Sequence, residues 1–80
     1  MLEATQKHLL RAINILGGQS ALARSINTKQ QNVWFWLNKS GRVPAEFVLS
    51  IEQETKGQVT RSQLRPDIYP EHTSKLDINS

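Results

Sequence analysis

Apolar residues recur along the chain at helical spacing, in five short blocks separated by glycine, proline or polar clusters. In the first block, over about residues 3–16, Leu9, Ile13 and Leu16 share one face with Ala12 beside them. Gly17 suits the left-handed position that closes a helix, and Gly18 is a tolerable N-cap for the next. The second block, residues 19–25, turns Leu22 and Ala23 inward, and Ile26, Asn27 and Thr28 form a turn. The third, residues 29–38, turns Val33, Trp36 and Leu37 inward, and residues 38–42 read as a polar loop. Pro44 fits the first position of a fourth helix, where its missing N–H is not needed. That helix reaches about residue 55 with Phe47, Val48 and Ile51 inward, and Lys56, Gly57 and Gln58 interrupt it. The fifth start is the best marked. Thr60 and Gln63 have the spacing of a capping box, Val59 and Leu64 that of a hydrophobic staple, and Pro66 stops the helix within about one turn. No strand is predicted: residues 58–60 are too few, and the alternation of Leu76, Asp77 and Ile78 is a bare hint. The expected fold is all-α, with five short helices. Residues 1–66 form one domain, and residues 67–80 a polar, flexible tail open to a partner.

The chain has 80 residues, enough for one domain. A domain of that size buries only roughly 60% of its unfolded surface, so one modest core carries it. The absence of cysteine excludes disulfides and thiolate metal sites and fits a reducing cytoplasm. The first twelve residues show no signal-peptide pattern, and no stretch is long and apolar enough to span a membrane. A cytoplasmic location is therefore expected. The net charge of +3 conceals an asymmetry. No Asp or Glu occurs over residues 4–45, which hold Lys7, Arg11, Arg24, Lys29, Lys39 and Arg42. Such a stretch fits a polyanion-binding face and fits an ordinary soluble basic surface as well.

The segment QSALARSINTKQQNVWFWLN, residues 19–38, decides between these readings. Two helices that cross over a short turn need a small residue at the contact, which is Ala23, and an apolar seam, which Leu22, Ile26, Val33 and Trp36 provide. The turn needs a residue that tolerates positive φ, and Asn27 is the best choice after glycine. The pattern is a helix-turn-helix. Its segments QSALARSI, QQNVWFWLN, GRVPAE and RPDIYP resemble the Cro-type regulators of lambdoid phages and the related YdaS-like prophage proteins, over roughly residues 9–70. The resemblance implies a lambda-repressor/Cro-like domain, a small dimeric repressor of a lysogeny-type switch. Some YdaS-like members are antitoxins. Three positions depart from the family. Lys29 stands where a capping Ser is common, so Thr28 is expected to cap instead, and Trp34 and Phe35 stand where relatives are often polar.

In a helix-turn-helix the second helix of the motif lies in the major groove, with its N-terminal residues at base edges. Gln30 and Gln31 are the expected base readers, since a Gln amide pairs bidentately with adenine. Lys29 reaches guanine or a phosphate. Trp34 lies one turn on, either against thymine methyls or sugar edges, or covering the core or a loop. Phe35 is expected against the loop before the fourth helix or at an interface. Phosphate contacts are expected from Gln19 and Ser20 at the start of the second helix and from Asn38, Lys39, Ser40 and Arg42 beside the groove. Arg24 is a further phosphate candidate or an ordinary solvated arginine, and Lys7 and Arg11 add general field.

His8 and His72 are too isolated for a catalytic pair or a metal site, and Glu52 and Glu54 do not share a helix face. No cofactor, metal or catalytic residue is expected. The expected function is a duplex-DNA-binding repressor that occupies an operator as a homodimer. The alternative is an antitoxin that binds a toxin through its tail and regulates its own operon. A purely structural or RNA-binding role lacks an aromatic platform for single strands.

Overall fold

The computed structural model describes residues 4–70 and is all-helical over that range, with no strand. The helices are α1 (Ala4–Leu16), α2 (Gln19–Ser25), α3 (Gln30–Phe35), α4 (Ala45–Glu54) and α5 (Arg61–Leu64), and α3 runs on into a π-helical turn, Trp36–Ser40. One apolar cluster joins all five: Leu9, Ala12 and Ile13 of α1, Leu22, Ala23 and Ile26, then Val33, Trp36, Leu37, Val43, Val48, Ile51, Val59 and Leu64. Burial of a side chain such as Leu22 or Ile51 contributes roughly 1.5–3 kcal/mol. Phe47 lies against the indole of Trp36, with ring centroids 5.1 Å apart.

Three helices end in the same way. The N–H two residues past the cap bonds back across six residues: Gly18 to Ile13 at 2.8 Å, Thr28 to Ala23 at 2.8 Å and Gly57 to Glu52 at 2.9 Å. The residue before it sits at positive φ: Gly17 at 101°, Asn27 at 63° and Lys56 at 56°. This arrangement satisfies terminal carbonyls that have no partner inside the helix. Asn27 thus does what the helix-turn-helix requires of it. Lys56 does the same with a side chain that fits the left-handed region poorly.

Four expectations are corrected. The cap of α3 is Lys29, with extended backbone and no side-chain cap bond, and not Thr28. The Thr28 hydroxyl instead accepts from Asn32 Nδ2 at 3.0 Å. Asn38, Lys39 and Ser40 are not loop residues. They continue the helix until Gly41, at φ 76°, closes it with a bond to the Trp36 carbonyl at 2.9 Å. Pro44 is the N-cap of α4 and Ala45 its first helical residue. The fourth concerns the RPDIYP segment, expected as tail from residue 67. Asp67 to Tyr69 instead fold back on the domain: the Ile68 and Tyr69 amides bond to the Arg65 carbonyl, and Tyr69 packs on the core. The rest of the expected tail, 71–80, lies outside the described residues.

Long-range polar bonds fix the end of α3 and the C-terminal corner. Thr5 Oγ1 donates to the Gly41 carbonyl at 2.8 Å and Gln6 Nε2 to the Leu37 carbonyl at 2.7 Å. Both carbonyls belong to the end of a helix, where no intrahelical N–H reaches them. At the corner, Thr55 is buried among apolar side chains, and its hydroxyl donates to the Ile51 carbonyl and accepts from the Val59 N–H. Arg65 donates to the Val43 carbonyl at 2.9 Å and, in a fork, to both Asp67 oxygens. The hydrogen bonds from Arg65 hold the Asp67 carboxyl down at about 2, against desolvation, which would raise it. Its own backbone N–H and the charges of Arg65 and Arg42 add to the lowering.

Candidate nucleic-acid interface

The sequence QQNVWF winds into α3 with Val33 buried, and Trp36 and Leu37 follow it into the core. That apolar stripe leaves Gln30, Gln31, Trp34 and Phe35 on the surface. At 100° per residue, Gln31 and Phe35 point away from the buried side, Trp34 lies beside them, and Gln30 sits at the edge that faces α2. There the Gln30 carboxamide donates to Gln19 Oε1 at 2.6 Å. One predicted base reader is thereby tied to one predicted phosphate contact. Two flexible side chains are held together at the junction of the two helices.

The other expected contacts surround this face. Lys29 stands exposed at its start, Ser20 is exposed on the first turn of α2 beside half-buried Gln19, and Asn38, Lys39, Ser40 and Arg42 are exposed beyond its end. Lys29, Gln31 and Lys39 make no side-chain hydrogen bond or ion pair among the described residues. Asn38 and Ser40 are partly engaged. Asn38 Nδ2 donates to the Trp34 carbonyl at 3.0 Å, and the Ser40 hydroxyl donates to the Arg42 carbonyl at 3.0 Å. Ser40 has one hydroxyl hydrogen, so it can donate to a phosphate only by exchanging that bond. Arg42 makes no ion pair with Glu46 among the described residues. Arg11, expected to add only field, donates to the Gln58 carbonyl at 3.0 Å and so ties α1 to the approach of α5.

Both aromatics of α3 are open. Trp34 is 44% exposed and is not among the partly buried side chains packed on the apolar cluster. Phe35 is 51% exposed, so of the two expected settings the loop before α4 does not cover it, and an interface is left open. The π turn explains the exposure: it carries the chain past Phe35 as helix, so the loop begins only at Gly41. Sequence reasoning had one usable signal for Phe35, its place four residues after Gln31 on the same helix face. No group of three or more His, Cys, Asp or Glu that could hold a metal occurs among the described residues. No helix among them is long and apolar enough to cross a membrane.

This geometry is that of a Cro-like helix-turn-helix domain. Residues 9–73 match the family described as "Bacterial toxin YdaS", and the chain belongs to that family. It is 40% identical over 58 residues to "Putative transcriptional regulator YdaS" of Escherichia coli (strain K12), a match covering 72% of this chain and 59% of that protein. The chain thus spans about 59% of the length of this curated relative. The solved structure of "the Cro protein from putative prophage element Xfaso 1 in Xylella fastidiosa strain Ann-1" is similar in fold over most of this chain. It has a TM-score of 0.72 and 44% identity, over 76% of this chain and 92% of that one.

Proposed function

We propose that this chain is a transcriptional regulator that binds duplex DNA with α3 in the major groove and represses by occupying its operator as a dimer. One observation carries the reading. The outer face of α3 presents Gln31 with no side-chain bond among the described residues and Gln30 held against Gln19, within a stretch of sequence, residues 4–45, that has no carboxylate. Gln31 is suited to pair bidentately with adenine. Gln30, held by Gln19, reads a neighbouring base or passes the constraint on to the backbone contact at α2. Lys29, at the start of the helix, and Trp34, beside Gln30, complete the base-reading set. Gln19, Ser20, Asn38, Lys39, Ser40 and Arg42 are assigned to phosphates, with Lys39 and Arg42 as the strongest because they carry charge. A single domain of this size reads about one half-site, and two half-sites about one helical turn apart, roughly 34 Å, require a dimer. The names of the relatives, a transcriptional regulator and a Cro protein, agree with this reading. Selection of bound sites from random duplex DNA tests it. A pseudo-palindrome bound by two protomers is expected, and a lone asymmetric half-site bound by one protomer refutes the dimer.

A second reading rests on the family's description as a bacterial toxin. It differs in sign from the antitoxin expected above. Induced expression of the chain alone slows bacterial growth if the chain is a toxin, leaves growth unchanged if it is an antitoxin, and in either case leaves the DNA-binding test independent.

A further inference from the structure

We propose that Phe35 is a specificity residue that reads the 5-methyl group of a thymine within two base steps of the base read by Gln31. The inference rests on the DNA-binding reading above. Phe35 is the most exposed large apolar side chain of the reading helix. It lies four residues after Gln31, about 40° around the helix and about 6 Å along it, on the side opposite Val33, Trp36 and Leu37. A separation of about 6 Å is close to two base-pair steps of roughly 3.4 Å, so the ring meets a base pair within two steps of that of Gln31. In the major groove every base edge presents hydrogen-bond donors or acceptors, and thymine alone also presents a methyl group. A phenyl ring laid on the polar edges would strip them of water without return, whereas the methyl group is a matching apolar surface. The surroundings favour DNA over a protein partner. Lys29 and Lys39 stand at the two ends of this helix and its π turn, and neither α2 nor α3 carries an acid.

The test uses the full chain and two random duplex libraries, one made with thymine and one with uracil in every thymine position. Duplexes enriched from the thymine library are then remade with single thymine-to-uracil changes. Removal of the contacted methyl is expected to weaken binding by about fourfold, the equivalent of one buried methyl-sized group, at one step per half-site. Phe35→Ala should bind the thymine and uracil forms of that step equally, and Gln31→Ala should keep the difference. Because Phe35 is half exposed, the truncation should leave thermal unfolding nearly unchanged, and the DNA-side changes need no protein variant at all. If duplexes are enriched but every uracil form binds like its thymine parent, this inference fails and the DNA-binding reading stands. Enrichment of no duplex overturns both. A change in self-association for Phe35→Ala, by sedimentation, with thymine dependence unaltered, makes Phe35 a protein contact and also overturns the inference.

Discussion

Helices α3 and α5 are both short, yet they treat their polar groups in opposite ways. At α5 the polar groups are closed on one another. Thr60 Oγ1 accepts from the Gln63 amide at 3.2 Å, and Gln63 Oε1 accepts from the Thr60 amide at 3.0 Å. Arg61 pairs with Glu52 at 2.9 Å and places its guanidinium 5.7 Å from the Tyr69 ring centre, while Arg65 joins Val43 to Asp67. At α3 the starting residue, Lys29, offers no cap, and Gln31 and Lys39 stay open among the described residues. A helix that completes a small core gains stability from internal partners. On the proposed DNA-binding reading, α3 keeps its donors available for an external molecule, at the expense of its own terminal stability.

The sharpest break of this comparison is in the core. Leu64→Ala removes a side chain with no exposed surface that closes α5 over the cluster. It should destabilise the domain by about 2–5 kcal/mol in urea unfolding. Gln31→Ala should do the reverse: unfolding unchanged, and specific affinity for a selected duplex lower by about 1–3 kcal/mol at one base step. If the loss appears equally on random DNA, Gln31 is not a reader. The caps sharpen the contrast. Thr60→Ala should cost about 1 kcal/mol of stability, and Lys29→Ser, by supplying α3 with the missing cap, should return a similar amount. Denaturant midpoints of the two variants should therefore move in opposite directions.

Salt dependence separates the charged residues next. Lys39→Ala and Arg42→Ala should each weaken binding to every duplex alike and flatten the plot of log K against log salt by about 0.9 for each phosphate that is no longer neutralised. An unchanged slope in both removes the end of the π turn from the interface. The smallest effect concerns acid. Because the Asp67 carboxyl titrates lower in the folded chain than in the unfolded one, near 2 against an ordinary 3.8, its pairing stabilises at neutral pH. That stabilisation fades as the pH falls below about 4 and is gone near 2. Thermal melts of Asp67→Asn should lie slightly below wild type at pH 7 and converge with it in acid. A constant gap across that range would mean that the Arg65 fork contributes through packing alone.

The legible parts of the molecule were those written in near neighbours. The α5 capping box, the staple residues and the positive φ of Asn27 depend on spacings of a few residues, and the buried stripe of α3 depends on helical period. The unread parts depend on docking. A π turn differs from an α turn by one hydrogen-bond step, which hydrophobic period does not encode, so Asn38 to Ser40 read as loop and Phe35 as covered by it or at an interface. The cap at Lys29 could not be foreseen either, because its identity argues against capping and only the turn geometry fixes where α3 starts.

The sequence by itself determined an all-helical chain, a helix-turn-helix centred on Ala23 and Asn27, and a basic half without carboxylates. Each follows from local periodicity, local caps or composition. The tertiary structure alone decided which polar groups are occupied and which are offered. Thr5 and Gln6 reach carbonyls 36 and 31 residues away, Arg65 reaches one 22 residues away, and Gln19 meets Gln30 across the turn. Such bonds depend on how the apolar cluster sets the helices against one another, and no local pattern specifies how one helix is rotated on the next.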